Sequence, residues 1–310
     1  MNFLNKKISL LFCIALLFVV GALVYSIGYK MAMNKFNSVV SYTQEKQKMY
    51  SLLSDVDYSV RNDCIGEVDE ESLKNELCRG YINGLDSEDC KFFTAKEYEQ
   101  YVNLRSVREA DISHFKINEN TGYVKFGNIA FNAHNKFEGL VNEFITDSVS
   151  NLIIDLRGCS DGEYSEVIEI VKFLFSGNEL ICSIDKKGEK EIVCASDKGI
   201  ELNICVLINE NTSGASEIIA SAARDNNCKV VGAKTAGIAA RQKTLTLSNH
   251  SVIIFPDAHY VTKSGNIIFN HGVKPNVVFN MSDDEKNLFE SNSLEYENDS
   301  LLKKALEQLN

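Results

Sequence analysis

An uncharged run from Ile8 to Tyr29, built mostly of Leu, Ile, Val, Phe and Ala, sets the first constraint on this chain. At about 1.5 Å rise per residue, roughly 20 helical residues cross a hydrocarbon layer about 30 Å thick, so the run is long enough to span a bilayer. A cleaved secretory signal is the first rival reading. Its apolar region usually covers about 7–15 residues, and the end of this run, Val24-Tyr25-Ser26, offers no clear small-x-small cleavage site. A buried core helix is the second rival. Lys6 and Lys7 ahead of the run favour a short N-terminus inside, and Lys30 and Lys35 beyond it weaken that preference without reversing it. The expectation is a single-pass anchor in the cell membrane: residues 1–29 form a cytoplasmic tip and transmembrane helix, and the bulk of the chain is extracytoplasmic.

Charge narrows the partners. With 32 Lys and Arg against 43 Asp and Glu, the net charge is −11, and no basic run appears. Nucleic-acid binding needs clustered cations to neutralise phosphates, so it is excluded as an expectation. Apolar residues make up 45% of the 310, enough for a sizeable core. Nine cysteines include Cys13 in the apolar run. Cys182 and Cys194 would face each other if Lys187, Gly188 and Glu189 formed a three-residue hairpin loop. Most of the others read as small buried hydrophobes, Cys205 above all. No Cys or His spacing suggests zinc, and neither a metal nor a cofactor is expected. His114, His134, His250, His259 and His271 read as surface or strand residues.

Residues 30–63 read as a polar, helix-favouring stalk, and residues 64–110 as a helical subdomain. There Asp69 caps a helix over Glu70–Leu85 whose apolar face holds Leu73, Leu77 and Tyr81. Thr94 and Glu97 have capping-box spacing for a short helix through Tyr101. From residue 111 the texture changes, and 111–282 reads as one core followed by a helical, polar tail over 283–310. Gly122–Phe126 is a strand, and Phe137, Leu140, Val141, Phe144 and Ile145 repeat with helical period. Leu152–Leu156 and Ile204–Ile208 are nearly all apolar, as strands of a parallel sheet buried on both faces must be. Helical segments at Tyr164–Phe175 and about Ala215–Arg224 alternate with them, a third strand starts at Lys229, and Lys243–Phe269 is β-rich. This alternation predicts an α/β core with crossover connections.

Short blocks in this region resemble, in order, those of the carboxyl-terminal processing (tail-specific) serine proteases. Ile154-Asp155-Leu156-Arg157 resembles that family's Asp-Leu-Arg, and Val206–Glu210 with Ala215-Ser216-Glu217-Ile218 its Val-Asn and Ser-Ala-Ser-Glu-Ile blocks. Arg224-Asp225-Asn226 matches the Asp-Asn that closes the following helix, with Asp225 a structural residue. Val231–Gly237 resembles Gly-Glu-Lys-Thr-Phe-Gly, while Tyr260–Gly265 and Gly272–Val277 resemble Tyr-x-Thr-Pro-Ser-Gly and Gly-Ile-x-Pro-Asp-Val. Ile65–Asp69 and Gly80–Leu85 are similar to the helical segment ahead of them. The resemblance implies a crotonase/ClpP-like α/β protease core, with the β-rich C-terminal part and the N-terminal helical subdomain attached to it.

The chemistry of such a family needs a serine at a helix N-terminus, where free amides and the dipole stabilise an oxyanion. It also needs a desolvated lysine as base, a glutamine that orients the lysine, and a glycine-rich oxyanion loop. Carried over residue by residue, the nucleophile position is Gly214 and the base position is Ile238. Gln242 keeps the orienting position, and Asp161 and Gly162 stand in the oxyanion loop, where a carboxylate at 161 would repel the developing charge. The PDZ domain that usually precedes the core strands is also missing. Tyr101 and Gly122 lie too close for a domain of about 80 residues.

The resemblance therefore implies a catalytically inactive homologue, an extracytoplasmic module that binds peptide or protein segments, one such partner being an active relative. Two alternatives stay open. An active peptidase would use Ser213 or Ser216 with Lys234, although Ser213 also reads as a helix cap and Lys234 matches a non-catalytic lysine. A structural envelope protein would bind no ligand.

Overall fold

The computed structural model describes residues 10–85, 87, 89–160, 162–195 and 199–309. The chain divides into two compact units, Met1–Leu73 and Lys74–Asn310. The first is dominated by one unbroken helix, α1 (Leu10–Asp63). Within it Leu16–Asn34, with a mean hydropathy of 1.7 and no part buried, is long and apolar enough to cross a membrane. α2 (Glu70–Asn83) starts where Asp69 accepts hydrogen bonds from the backbone of Glu71 and Ser72. Its inward residue is Ile82, while Leu77 and Tyr81 are exposed, so the buried face is not the one that Leu73, Leu77 and Tyr81 suggest.

The second unit continues with β1 (Lys91–Phe93) and α3 (Ala95–Ser106), the latter opened by the Thr94–Glu97 capping box. Next come β2 (Ile112–Asn118), β3 (Thr121–Phe126), α4 (Ala133–Thr146), β4 (Asn151–Asp155) and α5 (Tyr164–Leu174). β5 (Gly177–Asp185), β6 (Lys190–Ala195), β7 (Asn203–Ile208), α6 (Ser216–Asp225) and β8 (Lys229–Gly232) follow. β9 (Ala240–Thr246), β10 (Val252–Val261), β11 (Val277–Val278), α7 (Asp283–Glu290) and α8 (Ser300–Leu309) complete it.

Six strands form the central sheet in the order β11-β8-β7-β4-β3-β2, parallel except for β2. Successive side chains of a strand point to opposite faces, and both faces here are dry. Leu152, Ile154, Val206, Ile208 and Val230 pack with residues of α4, α5 and α6. Ile153, Cys205, Leu207 and Val231 pack instead against Leu301, Leu302, Ala305 and Leu309 of α8. Within the segment read as a helical, polar tail, α8 thus supplies one wall of the core. Burying a large aliphatic side chain contributes about 1.5–3 kcal/mol, so that layer is integral to stability.

The anchor of this layer is charged. Arg157, with its side chain 1% exposed, makes ion pairs of 2.6 Å with both Asp155 and Asp299. Tyr123 donates to Asp155 at 2.6 Å, and the Arg157 guanidinium lies over the Phe289 ring at 4.5 Å. Asp299 in turn accepts from Leu302 N–H at the start of α8. The Asp-Leu-Arg segment is accordingly a structural clamp between β4 and the C-terminal helices.

A second sheet runs β1-β10-β5-β6, with β9 paired to β10. β1 joins it through Lys91–Phe93 against Val252–Ile254, so part of the segment read as purely helical is a strand. In the β5–β6 hairpin Ile184 pairs with Lys190 and Cys182 with Ile192. The loop lies one residue earlier than the sequence suggested, at Lys186, Lys187 and Gly188, so Cys182 does not face Cys194. Both are free thiols, the first buried and the second exposed.

Candidate active-site cleft

α6 begins in the crossover from β7, which delivers its N-terminus to the C-terminal edge of the parallel sheet, where open α/β sheets bind ligands. The approach is a tight turn. Thr212 N–H donates to Asn209 O, and Thr212 Oγ1 donates to Leu156 O at 2.8 Å, tying the turn to the end of β4. Gly214 follows with φ +66°, in the left-handed region that glycine enters without strain. A Cβ placed there would meet only Ser160 O, at 4.0 Å. There is space for a side chain at this point, and the chain has none.

This turn opens into a cleft of about 560 Å³. Ser160, Gly162, Ser213, Gly214, Ile238 and Gln242 all line it, so residues from three separate stretches of sequence meet at one place. Asp161 lies outside the described residues. Gly162 sits between Ile129 and Ala215, whose Cβ atoms would each be 3.2 Å from a Cβ at this position, so the loop after Arg157 packs directly on the start of α6. Ile238 presents hydrocarbon to the cleft and is 44% exposed. Gln242 turns its Oε1 into the protein, where the atom is buried and has no hydrogen-bond partner.

Of the two serines that flank Gly214, Ser213 lines the cleft and Ser216 turns away from it. Ser216 is 1% exposed, and its hydroxyl lies 2.7 Å from Cys159 O and 2.9 Å from Ser213 O, two groups that can only accept. Ser213 does not cap α6. Its Oγ is 3.5 Å from Ser160 O, and Ala215 stands at the cap without a side-chain hydrogen bond. Lys234 is exposed and is not part of the cleft lining.

Glu217 organises the site, a role the sequence reading did not give it. Its carboxylate is fully buried and accepts from Gly214 N at 3.0 Å, Gly237 N at 2.7 Å, Ile238 N at 2.7 Å and Ala239 N at 2.9 Å, and from the Thr235 hydroxyl. One side chain therefore fixes the turn at Gly214 and the loop that carries Ile238. The available signal was its spacing, since a glutamate three residues after a turn residue at a helix start is an N-terminal capping pattern.

Around the mouth, Arg105 pairs with Glu163 at 2.5 Å and receives the Tyr101 hydroxyl as a neighbour. Burial pushes the Tyr164 hydroxyl up to about 12, so it stays protonated at neutral pH; its ring stacks on Tyr260. Burial alone would raise the Glu166 carboxyl, but the His134 ring and the backbone N–H groups of His134 and Asn132 outweigh it and hold it below the usual carboxylate range. These groups serve as structural partners of their neighbours.

The family model for peptidase family S41 matches residues 120–279, which includes the central parallel strands, the turn at Gly214 and the loop at Ile238. The chain belongs to peptidase family S41. Among curated S41-like relatives, the probable CtpA-like serine protease of Staphylococcus epidermidis is 25% identical over 196 residues, covering 57% of this chain and 40% of the relative. The probable CtpA-like serine protease of Staphylococcus aureus is 24% identical, covering 54% and 40%. The chain thus spans 40% of the length of these relatives. Solved structures place the fold alongside. A lipoprotein from Streptococcus agalactiae superposes with a TM-score of 0.55 at 14% identity, over 73% of this chain and 84% of that one. The photosystem II D1 C-terminal processing protease gives 0.51 at 23% identity, over 56% and 49%. The S41 fold is therefore present, with the mixed α/β architecture expected of it.

Proposed function

We propose that this S41 protein is a catalytically inert homologue that uses its cleft to bind peptide segments, held at the outer face of a membrane by α1. One observation carries the reading: glycine at 214 and isoleucine at 238 meet in the same cleft. A glycine offers no nucleophile and an isoleucine neither accepts nor donates a proton, while loss of one member of a coupled catalytic set already costs about 10⁶-fold in rate. The buried, unpartnered Gln242 Oε1 supports it, because this acceptor stands where the family resemblance puts the partner of a lysine ammonium.

The cleft is kept while the reactive groups are absent. Glu217 still fixes the two loops, and Gln242 and Thr244 of β9 line one side. β9 pairs only with β10 among the described strands, leaving an edge to which an extended peptide can add by backbone hydrogen bonds. A displaced serine dyad has less support, since Ser216 is buried against two carbonyl oxygens and Lys234 is exposed away from the cleft lining.

Peptide-library binding to the full-length protein in detergent tests the reading. Bound peptides should lose at least tenfold in affinity when Ile238→Trp fills the cleft. Absence of binding to every peptide, or binding indifferent to that substitution, sinks it.

A further inference from the structure

A cavity of about 320 Å³ lies on the α8 face of the central sheet, and none of its lining residues lines the cleft at Gly214. It sits beside β2, the edge strand. The cross-strand pairs Ser113–Lys125 and Phe115–Tyr123 form one wall. Phe289 of α7 and the loop residues Asn292, Glu295 and Tyr296 form the other. Two charges in this lining are unanswered. The Arg157 guanidinium is taken by Asp155 and Asp299. Lys125 has no carboxylate partner among the described residues, and its Nζ lies over the Phe289 ring, 4.3 Å from the centroid. Glu295 has no cation partner among them and accepts from the Asn298 side-chain amide at 3.2 Å. A half-buried ammonium and an exposed carboxylate thus line one small cavity without pairing with each other. Aromatic rings supply the rest of the surface. Phe115 lies 4.8 Å from Tyr123 and 5.2 Å from Tyr296, within the range at which rings pack, and Tyr296 is 49% exposed.

We propose that this cavity binds a free aromatic α-amino acid as its zwitterion. The ligand carboxylate takes Lys125, with the Ser113 hydroxyl and the Asn292 amide as further donors, and the ligand ammonium takes Glu295. The ligand ring lies against Phe115 and Tyr296. Charge complementarity selects this class: the cavity offers one group of each sign, and a free amino acid carries both on neighbouring atoms, whereas either end of a peptide carries one. Hydrogen bonds between ionised groups are about twice as strong as neutral ones, so both charges contribute to recognition. Size agrees, because pockets for small molecules begin at about 300 Å³. An aromatic-walled cavity with a few convergent polar groups is the usual form of such a site. The inference is independent of what the cleft at Gly214 binds.

Equilibrium dialysis of radiolabelled L-phenylalanine against the full-length protein in detergent reads the outcome directly. The wild type should show one saturable site per chain. As competitors, 3-phenylpropionate, 2-phenylethylamine and L-alanine each lack one of the three recognised groups, and each should bind at least tenfold more weakly than L-phenylalanine. Lys125→Met and Glu295→Gln should each weaken binding at least tenfold. Lys172→Met, on α5 where Lys172 pairs with Glu169, should leave it unchanged. Absence of saturable binding overturns the proposal, as does a competitor that matches L-phenylalanine or binding that Lys125→Met leaves intact. The competitor series uses the wild-type chain, so its result stands whether or not a variant folds.

Discussion

Ile238 is held by its backbone to Glu217: its N–H donates to Glu217 Oε2 at 2.7 Å, while the isoleucine side chain lines the cleft. The isoleucine side chain has no proton to exchange, yet the loop that carries it is closely held. The loop rests on one carboxylate with five donors around it, of which the Thr235 hydroxyl and the Gly237 and Ala239 amides are buried and would be left unsatisfied by its removal. An unsatisfied buried group costs about 1–3 kcal/mol. Glu217→Ala should therefore destabilise the protein by roughly 3 kcal/mol or more, and abolish peptide binding in whatever fraction stays folded. Urea titration with anisotropy binding checks both, and a loss under about 1 kcal/mol would contradict the role given to Glu217.

Gln242 gives a prediction of opposite sign. Its buried Oε1 has no partner, so replacing the side chain by one of similar volume removes a penalty and no hydrogen bond of that atom. Gln242→Met should leave stability unchanged or raise it by about 1 kcal/mol, read from the urea midpoint. A drop of more than about 1 kcal/mol would mean that the acceptor is satisfied in solution.

Arg157 and Asp155 predict a pH dependence. Burial alone would raise the Asp155 carboxyl, but the Arg157 charge and hydrogen bonds outweigh it and hold the group below its usual 3.8. A folded-state pKa below the unfolded one means that the stabilisation is complete above about pH 4 and is lost as pH falls below it. Unfolding free energy should fall from pH 5 to pH 3, and the Arg157→Met protein should show less of this fall. Breaking the buried pair should itself cost about 3–5 kcal/mol.

Gly214 tests the slot. Room for a Cβ exists, but its φ of +66° costs a non-glycine residue about 1 kcal/mol. Gly214→Ser should fold, lose about that much stability, and remain unreactive, because Ile238 still supplies no base. Reactivity comparable to an active peptidase from this single change would show that another group serves as base.

Much of the architecture could be read from local pattern. Leu152–Leu156 and Ile204–Ile208 carry no polar alternation, and that alone requires cover on both faces. What covers the second face was not readable, because α8 is fixed there by Arg157 and Asp299, 142 residues apart. β1 escaped notice because Lys91–Phe93 is too short to show a period; only its pairing with β10 makes it a strand. The β5–β6 register missed by one loop position because Lys186, Lys187, Gly188 and Glu189 offer two adjacent frames, and the Asp185 hydrogen bonds to Lys187 and Glu189 choose between them. At the cleft, block order pointed to Gly214, Ile238 and Gln242, while Glu217 served only as a landmark. Its five donors come mainly from a loop some 20 residues away, a relation no local pattern contains.

The most direct test of catalytic inertness is covalent labelling of the full-length protein in detergent by a fluorophosphonate, beside an active serine hydrolase. The account predicts no labelling at probe concentrations and times that saturate the control. Stoichiometric labelling that disappears in Ser213→Ala or Ser216→Ala would contradict it.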